Sequence, residues 1–267
     1  ILFGAIILSG LWPFYSWVPK LLTQAPAPVA MLQGGVLKFF GLYFLLQGFT
    51  SLLPAGLMEY KLILSFLCVA NILLIGFSAF AQTNLLRLIA YAAVMHMGTL
   101  FLALNAHTIE SIGGAVLTIV GSGLATALLI MLCASIKERT HTLELGEISG
   151  LRRATPQLGI FLMIGFMAFI ALPCFITFLG ELGIVMGMVK AGLWSVAAVL
   201  AGLVIVAGFG LRALSQVLMN FPKTAGLPDL TLIERFCCWI LVVPLILFAL
   251  MPGILVQPLN YMIHILL

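Results

Sequence analysis

Long apolar stretches, separated only by short polar segments, constrain this chain more than any other feature. Crossing the hydrocarbon core of a bilayer takes about 20 apolar residues in a helix. Because the stretches are continuous and do not alternate between polar and apolar residues, they argue against a transmembrane β-barrel. The sequence therefore predicts an all-α, polytopic transmembrane protein of about eight helices. The predicted spans are 1–24, 28–52, 60–81, 87–105, 111–136, 156–190, 192–219 and 232–254, followed by an apolar tail to Leu267.

The few charged residues, 7% of the chain, are divided unequally between the predicted loops. Of the 12 Lys and Arg residues, nine fall on one side of the membrane and only Lys61 and Lys190 on the other. The positive-inside rule places the side with nine in the cytoplasm or its equivalent, so both chain ends face outward. The net charge of +4 is too small and too scattered for a nucleic-acid surface. The nine are Lys20, Arg87, Lys137, Arg139, Arg152, Arg153, Arg212, Lys223 and Arg235.

Two predicted spans do not fit a single straight helix. The span 156–190 would be about 52 Å long as a straight helix, against a hydrocarbon core of about 30 Å. Pro173 is the expected break, because proline removes a backbone donor and clashes with the preceding turn. The first span is expected to break at Pro13. Broken membrane helices free backbone groups that can line a polar path.

Four polar side chains are predicted to lie at a similar depth near the middle of the membrane. Counting at 1.5 Å per residue places Lys38 about 15 Å deep and Glu181 about 14 Å from the opposite face. His96 and Ser122 fall near mid-depth in the fourth and fifth spans. An ionised group at this depth costs about 3 kcal/mol, so it requires a partner or a use.

Lys38 and Glu181 fit either a proton or ion path or a buried structural ion pair, and we favour the path. A proton relay needs groups whose protonation can change near neutral pH, which buried Lys and Glu side chains provide. His96 is interpreted first as a hydrogen-bonding residue between helices and second as a relay member. The small residues around Gly34, Gly113 and Gly121 predict close helix packing.

The sequence contains none of the motifs that bind nucleotides or carry electrons. It has no phosphate loop, no dinucleotide-binding glycine motif after a strand, no zinc-protease helix motif and no nucleophile elbow. The five cysteines lie in apolar segments without metal-binding spacing and are interpreted as buried packing thiols. We therefore expect no cofactor or metal in this chain. The cysteines are Cys68, Cys133, Cys174, Cys237 and Cys238.

Five motifs in order resemble the antiporter-like membrane subunits of respiratory complex I. The M-type subunit, equivalent to mitochondrial ND subunit four and the plastid or cyanobacterial D subunit, is the most similar, because it carries a Glu at the position of Glu181. The Ala-Pro-Ala-Pro-Val run is closer to the N-type subunit. The motifs are Trp17-Val18-Pro19 with 24–29, Phe80-Ala81-Gln82 through Tyr91 to His96-Met97-Gly98, the turn 138–143, Ala171-Leu172-Pro173, and Phe178-Leu179-Gly180-Glu181.

The resemblance implies two inverted five-helix repeats, each with a broken helix. Aligned on the motifs, the chain starts at the seventh helix, and its apolar start without a signal peptide suggests part of a larger protein. Residues 1–52 would end the first repeat, 60–219 would form the second, and 220–267 would hold a carboxy-terminal helix and tail. The partners implied are other membrane-arm subunits of the complex. NAD(P)H or ferredoxin, FMN, iron–sulfur clusters and quinone would belong to partner subunits. The membrane would be the bacterial inner, mitochondrial inner or thylakoid membrane.

The resemblance also implies proton translocation along a midplane row of residues, driven by remote quinone reduction. Lys38 and Glu181 match two members of that row, but Leu8 and Ser122 stand where a Lys and a His are expected. Asn84, Leu86 and Lys20 are further departures. Leucine cannot bind a proton, and a serine hydroxyl can pass one but not store it. Three functions stay open: a proton-translocating subunit, a non-pumping structural subunit of the same complex, and an Mrp-type cation/proton antiporter subunit.

Overall fold

Helices make up the architecture throughout the ranges that the structure covers. The computed structural model describes the backbone of residues 2–51, 54–219 and 227–256, and the side chains of these ranges except 47–59. Lys223, the predicted tail beyond residue 256 and the last residue of the 28–52 span lie outside the described residues. The helices are α1 (Leu2–Ser9), α2 (Trp17–Gln24), α3 (Ala27–Gly35), α4 (Phe40–Ser51), α5 (Pro54–Ala70), α6 (Gly76–Phe80), α7 (Leu85–Ala106), α8 (Ile109–Thr140), α9 (Leu151–Ala154), α10 (Pro156–Phe169), α11 (Ile176–Lys190), α12 (Val196–Met219) and α13 (Leu232–Leu250).

Six helical segments in the described residues are long and apolar enough to cross a membrane. The two remaining predicted spans are the ones expected to be broken, and each is divided into two shorter helices. The all-α, multi-pass membrane fold is therefore confirmed. The six segments are Ala27–Leu46, Tyr60–Phe80, Leu85–Ala106, Ile109–Thr140, Val196–Met219 and Leu232–Leu250.

Both predicted helix breaks are present and are built in the same way. The first span is interrupted between Ser9 and Trp17, around Pro13, and the sixth between Phe169 and Ile176, around Pro173. In the first break, the indole Nε1 of Trp17 donates a hydrogen bond to the Ile7 carbonyl at 3.1 Å. In the second, the Thr177 hydroxyl donates to the Ala168 carbonyl at 2.6 Å. One side chain from each second half-helix thus satisfies a carbonyl of the first.

The second break also corrects the expectation that all five cysteines are buried. Ala171 and Cys174 have φ angles of 60° and 85°, a left-handed conformation that is strained for residues with a Cβ atom. This backbone turns the Cys174 side chain outward, so that it is exposed, and Cys237 is only partly buried. Cys68, Cys133 and Cys238 are buried as expected.

Two further interruptions were not predicted. The second span is helical to Gly35, passes through an irregular residue, Val36, and continues through a 3₁₀ turn, Leu37–Phe39, into α4. The third span contains a π-helical turn, Asn71–Ile75, between α5 and α6. Such wide or tight turns within membrane helices are frequent at functional sites.

Helix α8 is the central element and packs against α3, α7, α10, α11 and α13. Glycines allow the closest of these contacts, as predicted. A Cβ atom on Gly114 would lie 2.5 Å from the backbone nitrogen of Ile184 and 2.6 Å from the carbonyl oxygen of Gly180, both in α11. A Cβ atom on Gly35 would lie 3.4 Å from the Gly123 carbonyl, where α3 meets α8. These contacts fix the rotation of α3 and α11 around α8.

The start of α10 shows one correction to the predicted helix caps. Thr155 precedes Pro156 as expected, but its hydroxyl bonds the Leu151 carbonyl and does not cap the helix. The backbone N–H groups of Gln157 and Leu158 instead donate to the Asp229 carboxylate at 3.0 and 3.2 Å. The cap therefore comes from a residue distant in the sequence.

A cluster of polar groups joins α8 to α13 at the end of the bundle that carries Asp229. The capping box predicted for Thr231 and Glu234 is present at the start of α13. The Glu234 carboxylate also accepts two hydrogen bonds from the Arg139 guanidinium, at 2.7 and 3.0 Å, and one from the Ser135 hydroxyl at 2.7 Å. Arg139 further donates to the backbone carbonyls of Pro228 and Asp229. This cluster ties the last described helix to the centre of the fold.

We expect Arg139→Ala to lower the free energy of unfolding by about 2 kcal/mol. Loss of the guanidinium leaves the Glu234 carboxylate without its cation. Because 21% of the Glu234 side chain is exposed to solvent, the cost in unfolding free energy is limited. Thermal unfolding of the purified protein in detergent is followed with a thiol-reactive dye. The dye labels the exposed Cys174 at the start and the buried Cys68 and Cys133 only as the protein unfolds. The exposed Arg152 provides the control, since Arg152→Ala is expected to unfold like the wild type. Equal melting temperatures for the two variants would contradict a stabilising role for the Arg139–Glu234 ion pair.

Candidate functional site

Lys38 is one of the largest fully buried side chains in the described part of the chain, with 1% of its surface exposed. It lies in the 3₁₀ turn that interrupts the second span, so the break in the helix sets its direction. The Nζ atom donates to the Thr126 hydroxyl oxygen in α8 at 3.5 Å and lies 4.7 Å from the centre of the Phe39 ring. No carboxylate within the described ranges forms an ion pair with Lys38.

Glu181 and His96 form the second polar pair of the site. Glu181 in α11 is 3% exposed and His96 in α7 is 3% exposed. The Glu181 Oε1 atom lies 3.6 Å from His96 Nδ1, just beyond hydrogen-bonding distance. Within the described residues, neither nitrogen of His96 and neither oxygen of Glu181 has a hydrogen-bond partner. Both groups thus have unused capacity to bind a proton or a small polar molecule.

The His96 side chain also contacts the second helix break. Its ring meets the ring of Phe169, the last residue of α10, edge to face, with centroids 5.0 Å apart. Phe169 directly precedes the break around Pro173. A movement of that break would therefore displace Phe169 and, through the ring contact, the His96 side chain beside Glu181.

Ser122 lies in α8, one helical turn before Thr126. It is 2% exposed, and its hydroxyl has no hydrogen-bond partner in the described ranges. Its backbone carbonyl accepts a hydrogen bond from the Thr126 hydroxyl at 2.6 Å, and that hydroxyl contacts Lys38. The structure thus brings together His96 with Glu181, and Lys38 with the helical turn of Ser122. It does not bring Lys38 and Glu181 into contact with each other.

Leu8, at the position where the resemblance places a Lys, is separate from this polar layer. It is 41% exposed and lines a shallow apolar groove with Gly4, Ala5, Ile7 and Phe44. A leucine on this face fits contact with lipid or another apolar surface. Helix α1, which leads into the first break, therefore has no titratable side chain at position 8.

Asn71 is a buried residue of the site that the sequence analysis did not identify. Its Oδ1 accepts a hydrogen bond from the backbone N–H of Trp12, in the first break, at 3.0 Å. Its Nδ2 donates to the carbonyls of Val94 and Met95, which directly precede His96, at 2.9 and 3.4 Å. Asn71 thus joins the first break to the backbone beside His96. An isolated amide within the apolar span 60–81 was the available signal.

Metal-binding geometry is not found in the part of the chain that the structure describes. No group of three or more His, Cys, Asp or Glu residues in these ranges is arranged to hold a metal ion. The site instead consists of isolated titratable groups and hydroxyls in an apolar bundle.

Comparison with known proteins places this arrangement among transmembrane antiporter-like chains. The family described as "NADH:quinone oxidoreductase/Mrp antiporter, TM" matches residues 1–208. NAD(P)H-quinone oxidoreductase chain 4 3 of Trichormus variabilis is 32% identical over 259 residues, which are 92% of this chain and 48% of that relative. NAD(P)H-quinone oxidoreductase chain 4-2 of Synechocystis sp. is 35% identical over 196 residues, 72% of this chain and 35% of that relative. The chain thus spans about half or less of the length of these relatives.

Solved structures agree with the sequence comparisons. A chain of respiratory complex I from Thermus thermophilus superimposes with a TM-score of 0.91 at 27% identity, covering 99% of this chain and 57% of that one. A chain of the Mrp complex from Dietzia sp. superimposes with a TM-score of 0.90 at 15% identity, over 99% of this chain and 58% of that one, and so shares the fold. The relatives named chain 4 agree with the resemblance inferred from the motifs. The chain belongs to the transmembrane family that NADH:quinone oxidoreductases and Mrp antiporters share.

Proposed function

We propose that this chain is a membrane-arm subunit of a complex I-type NAD(P)H–quinone oxidoreductase and that it translocates protons through Lys38 and Glu181. Quinone reduction in a distant part of the complex would drive the transfer. The redox cofactors, NAD(P)H or ferredoxin, FMN, iron–sulfur clusters and quinone, would belong to partner subunits. The membrane would be a bacterial inner, mitochondrial inner or thylakoid membrane.

The observation that carries this proposal is the separate burial of Lys38 and Glu181. A structural ion pair would place the two charges in contact, since a buried charge without its counter-ion is strongly destabilising. Lys38 instead contacts a neutral hydroxyl, and Glu181 lies beside an imidazole. Groups buried without a fixed counter-ion are suited to changing their protonation during a cycle.

His96 is the best-placed residue to exchange a proton with Glu181. Its Nδ1 lies 3.6 Å from the carboxylate, so a small rotation of either side chain would form a hydrogen bond. Imidazole can both accept and donate a proton near neutral pH. Ser122 would pass protons without storing them.

Two alternatives have specific support. Leu8 and Ser122, at positions where the resemblance expects a Lys and a His, favour a structural subunit of the same complex that no longer pumps. Membership of a family that includes Mrp antiporters favours a cation/proton antiporter subunit. Purification of the chain without redox subunits would support the antiporter.

The test is the number of protons moved per electron pair by the intact complex in proteoliposomes. We expect the Lys38→Ala, Glu181→Gln double variant to lower this ratio at a matched electron-transfer rate, because the proposed relay would lose both of its buried ionisable groups. The ratio is measured from acidification of the vesicle lumen against quinone reduction. Assembly is checked by the subunit composition of the purified complex.

Lys190 and Glu110 supply a matched control. They form an ion pair between exposed helix ends, with side chains 61% and 39% exposed, so the same residue types are changed outside the membrane layer. The Lys190→Ala, Glu110→Gln variant is expected to pump like the wild type. An unchanged ratio in the Lys38, Glu181 variant would overturn pumping by this chain and leave the structural role.

A further inference from the structure

Arg235 lies at the start of α13, where a positive charge is unfavourable. The free backbone N–H groups at a helix N-terminus already carry partial positive charge. Arg235 is the fourth residue of α13, and its side chain is partly buried. An arginine in this position is stabilised by a nearby anion.

Within the described residues, no carboxylate serves as that anion. Arg235 forms no salt bridge there, and its buried Nε atom has no hydrogen-bond partner. The two carboxylates nearest to it in the sequence are already engaged. Glu234 pairs with Arg139, and Asp229 accepts backbone hydrogen bonds from the start of α10. Arg235 therefore has unused capacity to bind an anion.

Gln157 supplies a second unpaired polar atom at the same end of the bundle. Its Oε1 atom is buried and has no hydrogen-bond partner in the described ranges. The rings of Phe161 and Trp239 meet edge to face, with centroids 5.4 Å apart, where α10 packs against α13. Gln157 and Arg235 each lie four residues before one of these rings, and residues four apart share one face of a helix. Since both helices start at this end, the two unpaired groups lie at the same crevice between α10 and α13.

The crevice continues into a surface that belongs in lipid. Helix α13 is one of the six segments long and apolar enough to cross a membrane, and Arg235 lies three residues after its first residue. Ile160 in α10 and Phe236 and Trp239 in α13 are 52%, 66% and 52% exposed. Tryptophan is enriched at the interface between membrane and water. A molecule bound at Arg235 therefore has apolar surface beside it in the membrane.

We propose that Arg235 and Gln157 bind the headgroup of an anionic phospholipid in the adjacent leaflet of the membrane. The guanidinium fork of Arg235 donates to the phosphate oxygens, a geometry that arginine matches better than lysine. Basic pockets between membrane helices on the cytoplasmic side bind anionic headgroups. The lipid tails lie against Ile160, Phe236 and Trp239. This site goes beyond the proposed function and does not depend on proton translocation.

Gln157 narrows the choice of lipid. Its Oε1 atom can only accept a hydrogen bond, and an ionised phosphodiester has no hydrogen to donate. A hydroxyl in the headgroup supplies that donor. The pair therefore selects a lipid with one phosphate and a headgroup glycerol, which is the chemistry of phosphatidylglycerol.

We expect Arg235→Gln to weaken binding of the first dioleoylphosphatidylglycerol molecule by about tenfold, because charge-assisted hydrogen bonds to the phosphate are lost. Native mass spectrometry of the purified protein in detergent, titrated with this lipid, measures the affinity. Arg235→Lys keeps the charge and is expected to retain part of the affinity. Because Arg235 forms no salt bridge in the described ranges, Arg235→Gln is expected to keep the wild-type melting temperature without lipid. Wild-type affinity in Arg235→Gln would overturn the site.

Gln157→Leu tests the headgroup hydroxyl. It removes the Oε1 acceptor but keeps the backbone N–H that Asp229 caps. We expect this variant to lose the preference for dioleoylphosphatidylglycerol over dioleoylphosphatidic acid, which has a phosphate but no headgroup glycerol. An unchanged preference would overturn the contact between Gln157 and the headgroup.

Arg152 provides the matched control, because it is an exposed arginine at the same end of the bundle. Its backbone packs against Gly159, two residues after Gln157 and so on the other side of α10. Arg152→Gln is expected to bind dioleoylphosphatidylglycerol like the wild type. An equal loss in Arg152→Gln and Arg235→Gln would mean general attraction to a positive surface and would overturn a defined site. Equally tight binding of dioleoylphosphatidylcholine, or competition by soluble glycerol phosphate at equal concentration, would overturn an anionic lipid as the occupant.

Discussion

Replacing Gly114 with alanine is expected to destabilise the protein by about 3 kcal/mol, because the new methyl group meets backbone and not a flexible side chain. The Cβ atom would lie 2.5 Å from the Ile184 nitrogen and 2.6 Å from the Gly180 carbonyl oxygen. To relieve this contact, α8 and α11 must move apart, which also separates Thr118 from Gly180. Thermal unfolding in detergent and the yield of assembled complex both measure the effect.

Gly4 is the matched control for this substitution. It is also a glycine within an apolar helix, but a Cβ atom there would have no neighbour within 4 Å. Gly4→Ala is expected to leave the melting temperature unchanged or slightly raised, since alanine favours helix over glycine. If Gly114→Ala and Gly4→Ala have the same melting temperature, the close contact between α8 and α11 is not formed.

Replacing Asn71 with leucine is expected to cost about 2–3 kcal/mol and to loosen the first helix break. Leucine has similar size but leaves the partly buried N–H of Trp12 without its acceptor, and it removes the donor to the Val94 carbonyl. Hydrogen exchange at the Trp12 amide should accelerate in the intact protein, because its protecting bond is lost. Mass spectrometry of the peptide containing residues 10–16 measures this exchange.

Ser78→Ala is a suitable control for Asn71→Leu. The Ser78 hydroxyl, on the next helix of the same span, donates to the Leu74 carbonyl of its own segment and to no other group in the described ranges. Exchange at Trp12 should be unaffected in this variant. Unaltered exchange in both variants would mean that Asn71 does not hold the first break.

Local signals in the sequence were sufficient to predict the membrane spans and two of the helix interruptions. Pro13 and Pro173 each lie in an otherwise apolar run, and proline acts on its own turn of helix regardless of tertiary contacts. The interruption at Val36 has no such marker, since Gly34 and Gly35 before it also serve close packing. Its position depends on how α3 meets α8.

The burial of Lys38, His96, Ser122 and Glu181 was predictable from the sequence, but the contribution of Asn71 and the pairings between helices were not. Counting residues gives the depth of Lys38, His96, Ser122 and Glu181, whereas contacts depend on the rotation of each helix. That rotation follows from glycine contacts between segments distant in the sequence, such as Gly114 with Gly180. The Asp229 cap of α10 was missed for the same reason, because 71 residues separate Asp229 from Leu158.

The hydrogen bond from Trp17 to the Ile7 carbonyl gives the first break an internal optical reporter. Indole emission responds to the polarity around the ring, and this indole spans the gap between two half-helices. The chain has only 4 tryptophans, so three conservative changes to phenylalanine would leave Trp17 as the single emitter. If the half-helices separate, the indole N–H of Trp17 would lose the Ile7 carbonyl and bond to water, which would shift the emission to longer wavelength. Motion at this break is therefore measurable by fluorescence without an added label.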